Sequence, residues 1–435
     1  MMQKRGLKFV LCSSLDQVDP DEWNSFLSSQ SPPFLRYHWM RAYEISGSMT
    51  PETGWQPIHL LGIEDDGSSP NPDTPGVPAV DGGVPTVDGD PPEGRPSKQT
   101  AEQPSTQTEK QGRYRGLRFA LPLYIKSHSW GEFVFDFAWA DVARQLGKAY
   151  YPKAVGVIPA TPSTVYSPLC DREDYAELLA SAVDFLREEL PRLGVMSLSF
   201  LFTQAPFADD LESLGFHRWV HQGFEWKGEG LDTFDDYLAL FNKNQRKNIR
   251  KERKRFQESG LEVRLSSPDQ LDQETADDMF DLYERTNDQF GPWAAKFLNR
   301  EFFREVFRTC ADNIVLVNAV DRGEVVARSM LLKDRRRLFG RYWGTRRFVK
   351  DMHFNLCYYE PIDYAIRENL VSFDPGMGGE HKPRRGFQAV EQYSMHLYFD
   401  PLMDQLFRGN IHQFNESAQG MIEHINSHLP LKDHR

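Results

Sequence analysis

Apolar and polar positions change in short runs along most of the chain, and the runs form two series of similar order. In the first, helical spacing over about 20–28 and 34–46 precedes two strand-like runs, WQPIHLLGI at 55–63 and GLRFALPLYIK at 116–126. GEFVFDFAWA at 131–140 reads as another strand, followed by a short helix and AVGVIP at 154–159. A long helix over 173–193, VMSLSFLF at 195–202, a further helix and FHRWVHQGFEW at 216–226 close this series. The second begins with a long helix from Thr233. Helices around 276–290 and 300–310 precede NIVLVNAV at 313–320, a tight turn at 321–324 and VVARSMLLK at 325–333. RLFGRYWG at 337–344, a helix over 355–369 and LVSFDPG at 370–376 follow. This pattern predicts an α/β (α+β) protein of two halves, 1–228 and 229–435, each a mostly antiparallel mixed sheet flanked by helices.

One stretch breaks the pattern. From about 64 to 115 the chain is dense in Pro, Gly, Asp, Ser and Thr and nearly free of large apolar residues. Such a composition cannot bury a core, so a disordered insertion at a hairpin tip is expected, where added length costs little. Aligning LPLYIKSHSWGEFVFDFAWAD with SMLLKDRRRLFGRYWGT, as strand–turn–strand, sets the insertion opposite the tight turn at 321–324.

The chain's 435 residues are 40% hydrophobic, enough for two or three domains with a sizeable core. A net charge of −12 excludes a protein that coats nucleic acid along its whole length, but allows local basic patches. Cys12, Cys170, Cys310 and Cys357 are far apart, with no metal-ligand spacing, so reduced thiols and no metal are expected. The apolar run after Lys4 and Arg5 is too short for a signal-peptide core. No run approaches the roughly 20 apolar residues of a membrane helix, and a cytoplasmic protein is expected.

The loop FDPGMGGEHKPRRGF, at 373–387, concentrates the candidate chemistry. Glycine tolerates positive φ, so the amides around Gly376, Gly378 and Gly379 can curl into an anion-binding nest. Glu380 and His381 are its proton-transfer candidates, and Lys382, Arg384 and Arg385 suit phosphate or carboxylate. The bland alternative is a solvated turn whose cations pair with nearby acids. Between 242 and 255 lie eight cations against one acid, Glu252, and Arg246, Arg250 and Arg253 share a helical face. That face fits phosphates, or it is merely solvated. Lys126 and His128, in LYIKSHSWGE, are candidate substrate contacts, though no nucleophile elbow accompanies them. Tyr342 is core, or a general acid if it faces a cleft. YYPK at 150–153 reads as packing, with Lys153 a minor candidate for anion contact.

PFLRYHWMRAYEISG, LYIKSHSWGEFVFDFAWAD and YYPK in the first half, with FDDYLALFNKNQRKNIRKERKRFQESG, LFGRYWG, CYYEPIDYAI and FDPGMGGEHKPRRGF in the second, resemble the FemAB-like N-acyltransferases. These are also described as peptidoglycan biosynthesis or recognition proteins. The resemblance implies two tandem GNAT-like (acyl-CoA N-acyltransferase) domains. Direct transfer of an acyl or aminoacyl group to an amine, without a covalent enzyme intermediate, is expected, with a peptidoglycan-related precursor as a candidate acceptor. Acyl-CoA or aminoacyl-tRNA would be the co-substrate, with no tightly bound cofactor. One departure is GTRRFVKDMHFN, which stands where GNAT enzymes carry a Gly-rich phosphate loop. It has a single glycine, Gly344, among Arg346, Arg347 and Lys350, which weakens an assignment to acetyl-CoA. The competing readings are an inactive binding module for tRNA, a nucleotide-linked precursor or a cell-wall fragment, and an interaction scaffold that works through the insertion.

Overall fold

The computed structural model describes residues 6–65, 113–291 and 295–432. The strands of the first half are β1 (Gly6–Cys12), β2 (Trp55–Pro57), β3 (His59–Asp65), β4 (Leu117–Leu121), β5 (Leu123–Lys126), β6 (Lys153–Gly156), β7 (Leu169–Cys170), β8 (Ser197–Thr203) and β9 (His217–Lys227). Those of the second are β10 (Glu262–Ser266), β11 (Ile314–Asp321), β12 (Glu324–Lys333), β13 (Arg337–Thr345), β14 (Ser372–Asp374) and β15 (Gln388–Tyr398). Strands β1-β3-β4-β7 form one sheet. The other runs β10-β11-β12-β13-β14-β9-β15-β8-β6-β5-β2 without a break.

Local sequence explains several of these elements. IVLVNAVD is buried on both faces and forms an interior strand. Its hairpin to β12 turns on Arg322 and Gly323, both at positive φ, which matches the twist of a two-residue hairpin. Thr233 caps a helix through a reciprocal Thr233–Asp236 box, but that helix ends at Ala239. The basic helix is a separate element, Lys243–Gln257, with its own cap in the Asn242 side chain. The single helix expected from Thr233 is therefore two, because Asn242 starts a new one.

The centre of the large sheet is built by exchange. β15, from the end of the chain, lies between β8 and β9 and is antiparallel to both. β9 in turn pairs with β14 on its other side. Both neighbours of β9 thus come from beyond residue 228. The largest core cluster likewise joins Trp39, Tyr43 and Phe200 to Phe302, Phe303 and Phe339. The closing helix Pro401–Ser427 lies against β9 and β15.

The expected strand at 131–140 is not formed. Glu132 and Asp136 are buried while Phe135 is 62% exposed, the reverse of what an apolar-in strand requires. Both carboxylates are drawn inward by Lys153, and a helix begins at Phe137. β5 instead pairs with β6, Lys126 opposite Lys153. β3 and β4 pair antiparallel, as arms of the expected hairpin. The expected disorder between them falls, for 66–112, outside the described residues.

Candidate functional site

β13 and β14 run parallel through three pairs, Arg337–Ser372, Leu338–Phe373 and Phe339–Asp374, and then part. β13 continues to Thr345 while the chain after Asp374 turns into the glycine-rich loop. Ligands of open α/β sheets gather at such carboxyl ends, where strands diverge. Just past the fork, β13 carries a bulge: Met330 faces Tyr342, but Leu331 faces Gly340, leaving Arg341 as the extra residue. A bulge re-aims its side chain. Arg341 extends across to the first half, where its Nη2 donates to Ser163 Oγ and its guanidinium lies 4.6 Å from the Phe34 ring centre. Ser163 in turn donates to Asp374, whose second oxygen accepts from the Gly376 amide at 2.8 Å. One polar chain therefore ties the first half to both prongs of the fork.

Two donors remain unused there. Arg341 Nε and the Tyr342 hydroxyl are buried with no hydrogen-bond partner among the described residues. Leaving a buried donor unmade costs about 1–3 kcal/mol, so such groups mark places where a ligand or water belongs. Burial holds the Tyr342 phenol well above its usual pKa, with Tyr43, Tyr283 and Arg341 close enough to act on it. It therefore stays protonated and is a hydrogen-bond donor rather than a ready acid. Burial lowers the Arg341 pKa while Asp374 opposes the shift, and a guanidinium keeps its charge under both. Arg341, Asp374 and Ser163 had no signal in sequence, because neither the bulge nor the approach of the 158–165 segment is encoded locally.

The loop needs its glycines: Gly376, Gly378 and Gly379 all have φ between 68° and 98°. It is nevertheless organised differently from a simple anion nest. The Gly376 amide serves Asp374, and buried Lys382 donates to the carbonyls of Gly376 at 2.6 Å and Met377 at 3.2 Å. Burial lowers the Lys382 pKa to about 8, against the pull of Asp374. His381 Nε2 lies 2.8 Å from the Tyr358 hydroxyl, and Tyr358 comes from a π-helical turn, Asn355–Tyr359, within the helix expected there. Burial, then the charges of Arg385 and Lys382, lower the His381 pKa to about 4, so the ring is neutral at pH 7. Glu380 and Arg384 are exposed. Arg385 is buried and spent internally: it donates to Glu252 at 2.8 Å and to the His381 carbonyl at 2.9 Å, and stacks 3.5 Å from the Phe354 ring centre.

Glu252, the one acid of the basic helix, thus fastens that helix to the loop, with Tyr359 as a second donor. Arg253 is also occupied, paired with Glu360 at 3.0 Å and stacked on Phe234. Arg250 only approaches Asp235, at 3.7 Å, and stays exposed, while Arg246 is half-buried. Lys243, Lys247, Lys251 and Lys254 extend into solvent. In the segment after β13, Arg346 pairs with Asp278 and Arg347 with Asp321. A side chain at Gly344 would collide with the Leu282 carbonyl, so this glycine serves helix packing.

Lys126 and His128 are not gathered at the fork. Lys126 is 0% exposed, its ammonium 3.4 Å from the Trp55 ring centre, and burial lowers its pKa well below the usual value. It donates to the Trp130 carbonyl and to His128 Nδ1, while His128 Nε2 donates to the Thr53 carbonyl at 3.0 Å. Burial, with the Lys126 charge, lowers the His128 pKa to about 4. Lys153 is buried between Glu132 and Asp136, at 2.7 and 2.5 Å.

Residues 14–70 and 97–433 match the FemAB-like family, described as peptidoglycan biosynthesis/recognition. The chain belongs to the FemAB-like family. The stretch that the family match skips, 71–96, lies within the expected insertion. No curated protein sequence matches. Among solved structures, FemX is 13% identical over 90% of this chain and 98% of its own, with a TM-score of 0.48. A tandem GNAT protein from the clavulanic acid biosynthesis pathway is 12% identical over 91% and 99%, with a TM-score of 0.40. L-PGS from Bacillus licheniformis is 9% identical over 68% and 86%, with a TM-score of 0.43. Among the described residues, no helix of this FemAB-like protein is long and apolar enough to cross a membrane.

Proposed function

We propose that this FemAB-like protein is an N-acyltransferase that passes an acyl or aminoacyl group directly to an amine, with the fork between β13 and β14 as its reaction site. The observation that carries this reading is the pair of buried, unpartnered donors there, Arg341 Nε and the Tyr342 hydroxyl. When an amine attacks an ester or thioester carbonyl, the carbonyl oxygen gains negative charge, and preorganised donors in a dry site stabilise it. The C–N bond forms, the C–O or C–S bond breaks, and the amine proton passes to the leaving group. His381, neutral at pH 7, is the proposed intermediate carrier of that proton. Glu380 is the alternative carrier, though it is exposed. Lys382 holds the loop closed, and the solvent-facing cations of Lys243–Gln257 hold the phosphates of a coenzyme A or tRNA donor. The acceptor is an amine on a peptidoglycan-related precursor, in keeping with the family.

The test offers acyl-CoAs and charged tRNAs with an amine-bearing nucleotide-linked precursor and follows new amide by mass spectrometry. The reading expects product with the wild type and a loss of at least about 100-fold with Arg341→Met, the scale of a lost oxyanion donor. Product that forms equally well with Arg341→Met would refute it.

A further inference from the structure

A cavity of about 520 Å³ opens between the halves at the start of β13 and β14, the end opposite the fork. From the first half it is lined by Ser28, Ser167, Arg172 and Gln204, among others, and from the second by Arg336 and Arg337. The two walls are pinned together at one edge. The Arg335 amide donates to the Ser29 carbonyl at 3.1 Å, and Arg337 Nη2 reaches the Gln30 carbonyl at 3.4 Å.

Its charge is unlike that of the chain as a whole. The chain carries 63 acidic residues against 51 Lys and Arg, yet among the described residues that line this cavity none is acidic and three are arginines. Arg337 is neutralised by Asp334 at 2.8 Å. The guanidiniums of Arg172 and Arg336 have no acidic partner among the described residues. Most other arginines of the second half are paired, including Arg253, Arg255, Arg304, Arg308, Arg328, Arg346 and Arg347. The remaining lining groups are hydroxyls, amides and apolar side chains, Phe26 the largest of them.

We propose that this cavity is a binding site for a diphosphate-bearing small molecule, clamped by Arg172 from one half and Arg336 from the other. Planar guanidinium forks match phosphate oxygens two at a time, and a diphosphate offers each arginine its own phosphate. Ser28 and Ser167 supply hydroxyl donors at the same wall. Because its arms come from both halves, the occupied site ties them together, and a bound ligand stabilises the folded chain by mass action. The site is separate from the fork, and its occupancy does not depend on whether acyl transfer takes place there.

Inorganic pyrophosphate is the probe, titrated against the full chain while thermal unfolding is followed. The expected result is a saturable rise in Tm with wild type that exceeds the rise given by phosphate. It should fall to less than half with Arg172→Ala/Arg336→Ala, and persist with Arg408→Ala, an exposed arginine of the closing helix. UDP, coenzyme A and a water-soluble prenyl diphosphate then separate the sources of the shared group. No saturable pyrophosphate shift with wild type, or an undiminished shift in the arginine double variant, would overturn the proposal. Transfer activity lost in Arg341→Met with this binding intact would show that the two sites stand or fall separately.

Discussion

Each half of the molecule buries a knot of charge, and the two knots differ in what they leave over. In the first half Lys153 pairs with Glu132 and Asp136 while Lys126 is bonded to His128 and the Trp130 carbonyl, and the knot's atoms left unpartnered among the described residues are acceptors: Glu132 Oε1 and Asp136 Oδ1. At the fork, Arg341, Lys382 and Arg385 face Asp374 and Glu252, and the unpartnered atoms are donors: Arg341 Nε, Tyr342 Oη and Arg385 Nε. The first knot sets two carboxylates on one lysine, Lys153, and lies against Trp55, Tyr150 and Tyr151. It is a structural element that fixes 126–136 against β6. The second has cations in excess and donors without acceptors, the pattern expected where negative charge arrives with a substrate. Buried charge alone therefore does not mark a site. What remains unpaired is where these two knots differ.

The largest effect that tests this contrast is on stability in the first half. Lys153→Met leaves two buried carboxylates facing each other and should cost about 3–5 kcal/mol in urea unfolding. A neutral or stabilising outcome would break the structural reading of that knot. Tyr342→Phe should do the opposite at the fork. It removes only an unpartnered hydroxyl, so stability should stay level or rise by up to about 1 kcal/mol. Transfer should fall about 10–100-fold, the order of one lost donor. Equal losses of stability and activity would make Tyr342 a core residue and nothing more.

The histidines sharpen the comparison by pH. His128 in the first half and His353 and His381 near the fork all have pKa lowered to about 4 from 6.5, burial being the first cause of each. The unfolded chain then binds their protons more readily than the folded one. Their contribution is intact above pH 6.5 and is lost as pH falls from 6.5 towards 4, by up to about 1.4 kcal/mol per unit for each group. A flat stability profile across that window, measured by urea unfolding, would remove the neutral His381 on which proton transfer depends. Smaller again is Lys247→Ala/Lys251→Ala. It should shift stability by no more than about 0.5 kcal/mol while lowering the salt dependence of donor binding by roughly one unit of slope for each phosphate left without its lysine. Smallest is deletion of 66–112, expected to change unfolding free energy by less than about 1 kcal/mol. A deletion that abolishes biological activity but not folding would favour the scaffold reading.

Much of the architecture was legible because its signals are local. The continuous apolar runs of β11 and β12, the two-residue turn at Arg322 and Gly323 and the cap at Thr233 all follow from neighbouring residues. The exchange that places β15 between β8 and β9 was not legible, since strand order is fixed by partners some 190 residues apart, such as Ser394 and Leu201. GEFVFDF misled because alternation gives a period but not which face is buried, and Lys153 pulls the acidic face inward. The loop's glycines and cations were legible as a cluster. That Lys382 and Arg385 are used to build the loop, rather than held free for a ligand, depends on Glu252 and on carbonyls that only the folded chain brings near. Arg341 was hidden by a bulge that shifts the register by one residue.

The most direct test of the fork is a thermal-shift comparison of wild type, Arg341→Met and Glu380→Gln against acyl-CoAs, charged tRNA and nucleotide-linked precursors. The account predicts that at least one donor or acceptor raises the Tm of wild type and Glu380→Gln while Arg341→Met loses the shift. No stabilising ligand in the panel, or a shift that survives in Arg341→Met, would contradict it.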